Sequence, residues 1–95
     1  MSSRNFLQLR MADGSRKFAE IPWEPPLVLK RRLLAAPGVR LTDYLESVTE
    51  TWIDFEFSGH LFTAHNPFND FWLFVADPQC PDQVLSEVEK LLKPI

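Results

Sequence analysis

Two carboxylates and two histidines near the middle of the chain are the side chains best placed to do chemistry. Asp54 and Glu56 are two positions apart, so on a β-strand both lie on one side, about 7 Å apart. Such a pair can transfer protons when burial raises the pKa of one member. Alternation of polar and apolar residues on a half-buried strand gives the same spacing without any function.

The two histidines are His60 and His65. A spacing of five places them on opposite faces of a regular strand, where they cannot readily share one metal ion. No carboxylate accompanies them at a spacing known from zinc sites. We therefore predict no metal and no bound cofactor, and we interpret both histidines as structural or simply solvated.

The single cysteine, Cys80, lies just before a predicted helix, whose N-terminus would lower the pKa of a thiol. A lone cysteine is a weak indication of catalysis, so we favour a structural role. One cysteine also excludes an internal disulfide and any multi-cysteine metal centre. With three glycines, the chain has no glycine-rich phosphate loop, nucleophile elbow or dinucleotide fingerprint. These features favour a protein without enzymatic activity.

The charge of the chain is unevenly distributed along its length. The net charge is -3, whereas domains that bind nucleic acid usually carry a basic excess, so we do not expect such a partner. Through residue 40, eight basic and three acidic residues give +5, and from residue 41 two basic and ten acidic residues give -8. The two parts form either a binding surface or weak solvated ion pairs within one fold.

The elements that must position these side chains begin with a predicted hairpin. Alternating apolar residues at Leu7–Met11 indicate a half-buried strand, and Asp13-Gly14 favours a tight turn. Residues Arg16–Ile21 form the predicted return strand. Pro22 ends it, because proline has no N–H to donate to the ladder.

Two helices are predicted, each with proline in its first turn. Pro26–Ala36 contains strong helix formers, has Leu29 and Leu33 on one side, and is followed by Pro37-Gly38. Pro81–Leu92 has an apolar stripe at helical spacing and lysines towards its C-terminal end.

The segment between the first helix and Thr51 has a mixed pattern. Val39-Arg40-Leu41 indicates entry to a strand. Leu41, Leu45 and Val48 then recur at helical spacing, whereas the threonines of this segment favour extended structure. We predict a short strand near Val39, followed by an irregular or helical turn before Thr51.

The most regular pattern is a β-meander over Thr51–Ala76. Apolar and acidic residues alternate up to Phe57, Ser58-Gly59 makes a two-residue turn, and Phe71–Ala76 is apolar throughout, as in a strand covered on both faces. The predicted pairs on the inner face are Phe57 with His60, Phe55 with Phe62 and Ile53 with Ala64. Those on the outer face are Glu56 with Leu61, Asp54 with Thr63 and Trp52 with His65.

These elements predict one α+β domain spanning residues 1–95. Its antiparallel sheet of four to five strands packs against the C-terminal helix, with the Pro26–Ala36 helix beside it or on the other face. At 95 residues and 45% hydrophobic composition, the chain supports a single core. No apolar run approaches the roughly 18 residues of a membrane helix, and the polar start does not suit a signal peptide. We therefore expect a soluble cytoplasmic protein that does not bind a membrane.

The aromatic residues suggest how the protein acts. Trp52 shares the predicted outer face with His65, Asp54 and Glu56, and Trp72 would extend the strip. Exposed strips with tryptophan are favoured protein contacts, so the strip needs a cover, either the Pro26–Ala36 helix or a second chain. The leading hypothesis is a non-enzymatic interaction module that binds through these five residues, as a homodimer or with a protein partner. The alternative is a small enzyme or ligand-binding protein that uses the acidic and histidine face.

Overall fold

A five-stranded antiparallel sheet with two helices forms the described part of the protein. The computed structural model describes residues 15–66 and 70–93. The strands lie in the order β1-β5-β4-β3-β2, which confirms the predicted α+β fold. The elements are β1 Arg16–Pro22, α1 Pro26–Ala35, β2 Val39–Glu46, β3 Thr51–Phe57, β4 His60–His65, β5 Asp70–Val75 and α2 Asp82–Leu92. The predicted strand Leu7–Met11 and the Asp13-Gly14 turn lie outside the described residues.

The β3–β4 hairpin has the predicted register in every one of its six residue pairs. Ser58 and Gly59 form the turn with φ angles of 55° and 80°. Positive φ at both central residues matches the twist of a two-residue hairpin, and glycine adopts it at no steric cost. The pairs of β3 with β4 therefore follow directly from the position of this turn.

The helical alternative for the segment after Leu41 is wrong. β2 continues to Glu46 and pairs antiparallel with β3, with a register shift between Leu41 and Asp43. The backbone of this segment pairs with β3, and the helical spacing of its leucines gives no sign of that pairing. The irregular turn is confirmed: Ser47 N–H donates to Glu50 O at 2.7 Å, and the Ser47 hydroxyl oxygen accepts from Glu50 N–H at 3.1 Å.

Both helices pack on the inner face of the sheet. Leu29 and Leu33 of α1 and Val88 of α2 form one buried cluster with Ile53 and Phe55 of β3. Because α1 lies beside α2 on this face, the first of the two predicted placements is confirmed, and the alternative in which this helix covers the outer aromatic strip is wrong.

Arg32 of α1 links the two helices through a hydrogen bond to the end of α2. Its guanidinium donates to both carboxylate oxygens of Glu24 at 2.8 Å and to the carbonyl oxygen of Leu92 at 3.0 Å. The hydrogen bond with Glu24 is the main reason that the pKa of Arg32 is raised. Such a bidentate pair has a defined geometry, so Arg32 ties the segment before α1 and the last turn of α1 to the end of α2.

Within the described residues, neither helix is long and apolar enough to cross a membrane.

We expect Leu33→Ala to lower the free energy of unfolding by about 2–5 kcal/mol, because it removes a fully buried side chain from the core. Leu34, the next residue of α1, is 61% exposed, and Leu34→Ala is the matched control, with a change below about 0.5 kcal/mol. Urea denaturation at a protein concentration where the chain is monomeric, followed by tryptophan fluorescence, measures both. Equal losses for the two variants would contradict the described orientation of α1.

Candidate functional site

His65 lies at the centre of a row of side chains on the outer face of the sheet. In register, Trp52 of β3, His65 of β4 and Trp72 of β5 are direct neighbours. The indole of Trp52 stacks on the imidazole with ring centroids 3.6 Å apart and planes 17° apart. His65 is only 2% exposed. The predicted neighbour of Trp52 is therefore confirmed, and its histidine is buried rather than solvated.

Both ring nitrogens of His65 face acceptor oxygens. Nδ1 is 3.0 Å from the carbonyl oxygen of Thr51, and Nε2 is 3.3 Å from Oε1 of Glu50. A protonated imidazole donates from both nitrogens, whereas a neutral one donates from a single nitrogen. The imidazole of His65 is thus held between a carbonyl oxygen and a carboxylate oxygen.

Glu50 is the carboxylate that the sequence analysis missed. It ends the turn between β2 and β3, directly before Thr51, and its side chain is 45% exposed. The position of Glu50 could have been inferred from the predicted pairing of Trp52 with His65. Glu50 is two residues before Trp52, so it must lie near the end of β4 that carries His65. The helical interpretation of the segment before Thr51 concealed this position.

Asp54 and Glu56 lie on the same outer face, as predicted, and each has a cross-strand partner. The hydroxyl of Thr63 donates to Oδ1 of Asp54 at 2.7 Å. Arg40 donates to Oε1 of Glu56 from Nη2 at 2.8 Å and from Nε at 3.0 Å. These contacts show Asp54 and Glu56 in cross-strand interactions on the surface of the sheet. The carboxylate next to Nε2 of His65 belongs to Glu50 instead.

Trp72 completes the row on β5. Its ring is half-buried and has the Nζ atom of Lys17 at 3.6 Å from its centroid. A cation over an indole face is a favourable contact, so β1 and β5 are joined on the outer face as well as by their ladder. The structure thus places all five predicted interaction residues, namely Trp52, His65, Trp72, Asp54 and Glu56, on one face.

Cys80 has none of the properties of a nucleophile. It is 3% exposed, and its Sγ lies 3.9 Å from the carbonyl oxygen of Pro81. Burial raises the pKa of the thiol, and the charge of Asp77 raises it further. The net shift of the thiol pKa is therefore upward, opposite to the lowering that a catalytic role would need.

A cleft of about 260 Å³ opens at the end of the sheet where β2 turns into β3. Its walls include Trp23, Pro26, Glu46, Glu50 and Asn66. The cleft brings the segment before α1 against the β2–β3 turn and the end of β4. Glu50 takes part in both features, because it lines the cleft and also meets His65.

Asn66 is one of two buried polar residues of the cleft, the other being Thr51. Asn66 is 8% exposed, and its Oδ1 accepts a hydrogen bond from Thr51 N–H at 2.6 Å. That contact fixes the carboxamide, so its Nδ2 amino group is the end left to donate. No described residue accepts from Nδ2.

Among residues 15–66 and 70–93, no group of three or more histidine, cysteine or acidic side chains could hold a metal ion. No protein-family model matches the chain, and comparison with curated proteins and with solved structures gives no significant match.

We expect His65→Ala to lower the free energy of unfolding by about 2–4 kcal/mol, since it removes a buried ring and the partner of the Thr51 carbonyl. His60→Ala is the control, because His60 is half-exposed at the turn end of the same strand. Thermal and urea denaturation compare the two variants with the unaltered protein. A change for His65→Ala no larger than that for His60→Ala would refute the structural role assigned to His65.

We expect the thiol of Cys80 to react with iodoacetamide more slowly in the folded protein than in urea, because burial excludes the reagent and the raised pKa lowers the fraction of thiolate. The raised pKa also moves the rise of the labelling rate to higher pH than in the unfolded chain. Free cysteine labelled in the same urea solution corrects for the solvent. Equal rates before and after unfolding are incompatible with the buried thiol described here.

Proposed function

We propose that the chain is a non-enzymatic protein-interaction module that associates with a second copy of itself. The observation that carries the proposal is the distribution of exposed large apolar side chains. Of the six in the described residues, five lie between residues 23 and 48, on α1 and β2 or beside them. They are Trp23, Leu27, Leu34, Leu45 and Val48, and the sixth is Leu61.

These five side chains lie around the β2 edge of the sheet: α1 packs over β2 on the inner face, whereas Leu45, the neighbour of Trp52, lies on the outer face. Leu27 and Leu34 are seven positions apart on α1, so they share one helix face, opposite the buried Leu29 and Leu33. Leu45 is 59% exposed at the outer edge of the sheet and pairs in register with Trp52. An apolar surface of this kind is typical of protein contacts.

The ladder edge of β2 is protected against indiscriminate strand pairing. Within the described sheet β2 is an edge strand, and its register shift lies between Leu41 and Asp43. Arg40, Asp43 and Glu46 place charges along it. Irregular ladders and charged side chains are the means by which natural edge strands avoid adding further strands. The proposed contact therefore uses side chains rather than an extended sheet.

The charges around this edge favour a second copy as the partner. Lys30 and Arg31 are basic residues of α1, whereas Asp43 and Glu46 are acidic residues of β2. In a twofold dimer, the same surface is used by both copies, so α1 of one can face β2 of the other with opposite charges. The split charge of the sequence then has a role at this contact.

The five interaction residues predicted from the sequence lie on the outer face of the sheet, and Leu45 links that face to the proposed contact. Trp52 lies directly beside it in register and is half-buried. His65 is buried and acts on the contact by holding the Trp52 ring. Trp72, Asp54 and Glu56 lie on the same face, farther from Leu45.

We expect Leu34→Glu and Leu45→Glu each to weaken self-association by about tenfold or more, because each places a charge in an apolar contact. Gln79→Glu is the control, since Gln79 is exposed in the turn after β5 and follows Pro78, which Arg16 of β1 contacts at the opposite edge of the sheet. Native mass spectrometry and sedimentation velocity over a range of concentrations measure the dimer fraction. Trp52→Ala tests the outer face in the same experiment and should also weaken the dimer.

Three results decide the proposal. A dimer that is lost in the Leu34 and Leu45 variants and retained in the Gln79 variant supports it. A monomer at every concentration excludes self-association. A partner chain isolated with the protein from its own cells, and lost in the same two variants, would replace the second copy with another protein.

A further inference from the structure

The cleft beside the β2–β3 turn has the chemistry of a binding site for a cationic group. Glu46 and Glu50 supply two carboxylates, and no lysine or arginine is among the described residues that line it. At about 260 Å³ the cleft lies just below the range of about 300–1,000 Å³ that holds drug-sized ligands. It therefore suits a group as large as one long side chain.

The carboxylates are held in position before any ligand arrives. The hydroxyl of Tyr44 donates to Oε1 of Glu46 at 2.9 Å, and His65 lies behind Oε1 of Glu50 at 3.3 Å. Burial of Tyr44, with help from Glu46, raises the pKa of the phenol, so it remains a donor. The hydrogen bonds between Ser47 and Glu50 close the turn that carries these residues. Side chains held in this way lose little entropy on binding.

Asn66 provides an independent indication of a ligand. Its carboxamide is more than nine-tenths buried in the cleft wall, its oxygen is used by Thr51, and its Nδ2 group has no acceptor among the described residues. A buried donor without a partner costs free energy, and an entering oxygen would remove that cost. The ligand therefore has an acceptor oxygen close to its cationic group.

Two further features of the cleft indicate the chemistry of the ligand. Trp23 is 49% exposed and presents an indole to the cleft. A planar guanidinium stacks on such a ring and can also donate two parallel hydrogen bonds to a carboxylate. α1 begins at the cleft with Pro25 and Pro26, whose rings have no N–H, so this helix end lacks the first amide donors that would attract an anion.

We propose that the cleft binds an arginine side chain of a protein segment, with the guanidinium between Trp23 and the carboxylates of Glu46 and Glu50, and the segment's backbone carbonyl accepting a hydrogen bond from Asn66 Nδ2. The inference rests on the proposed function in that the partner is a protein. It does not require the chain to associate with itself, so the two are tested separately.

The experiment titrates the full chain, at a concentration where it is monomeric, with the capped tripeptide acetyl-Gly-Arg-Gly-amide. Two-dimensional NMR follows the indole N–H of Trp23 and the side-chain amide of Asn66. The control ligand replaces arginine by citrulline, which has a similar shape and no charge. We expect both signals to shift in a saturable way with the arginine peptide, and the citrulline peptide to bind at least about fivefold more weakly.

Variants locate the contact. Glu50→Gln and Glu46→Gln keep an oxygen acceptor for His65 and Tyr44, and each should weaken the arginine peptide by about threefold to tenfold. Glu46→Gln also provides a test that leaves the His65 contact untouched. Glu87→Gln is the control, because Glu87 is exposed on α2, and it should bind like the unaltered protein.

The proposal is overturned by shifts that do not saturate, by equal binding of the citrulline peptide, or by unchanged binding in both cleft variants. A shift of Trp23 without any change at the Asn66 amide excludes the backbone carbonyl contact. A chain that binds the peptide yet remains monomeric at every concentration separates this site from the proposed self-association, and only the latter is then rejected.

Discussion

The pairing of β3 with β4 decides on which side of the sheet every central side chain lies. Since side chains alternate along a strand, a slip of one residue would exchange the two faces. The observed register places Ile53 and Phe55 beneath the helices and Trp52 on the opposite side. The core, the stacked Trp52–His65 pair and the acidic outer face all depend on this one alignment, and the turn at Ser58-Gly59 fixes it.

Glu50 connects the outer face with the end of the sheet. Its backbone closes the β2–β3 turn, and its carboxylate has buried His65 on one side and the cleft on the other. A partly exposed acid backed by a buried ring differs from Asp54 and Glu56, whose described partners are Thr63 and Arg40 on neighbouring strands. The two kinds of acidic residue look the same in the sequence, and only their partners separate them.

Local patterns were enough to predict much of this fold. Turn chemistry and alternation gave the β3–β4 register, and the proline and glycine signals placed both helices to within one residue at each end. The continuation of β2 to Glu46 was not predictable in this way, because its helical spacing is overridden by pairing with β3. The cleft was also hidden, since Trp23 and Asn66 are far apart in sequence and meet only when the whole sheet has formed.

The strand order has a consequence for how the protein folds. β2, β3 and β4 each pair with the strand that follows in sequence, whereas β1 pairs with β5, joining Arg16 to Val75. Closing so long a loop costs more chain entropy than closing a hairpin, and contacts between distant residues slow folding. The meander can thus form early and β1 last.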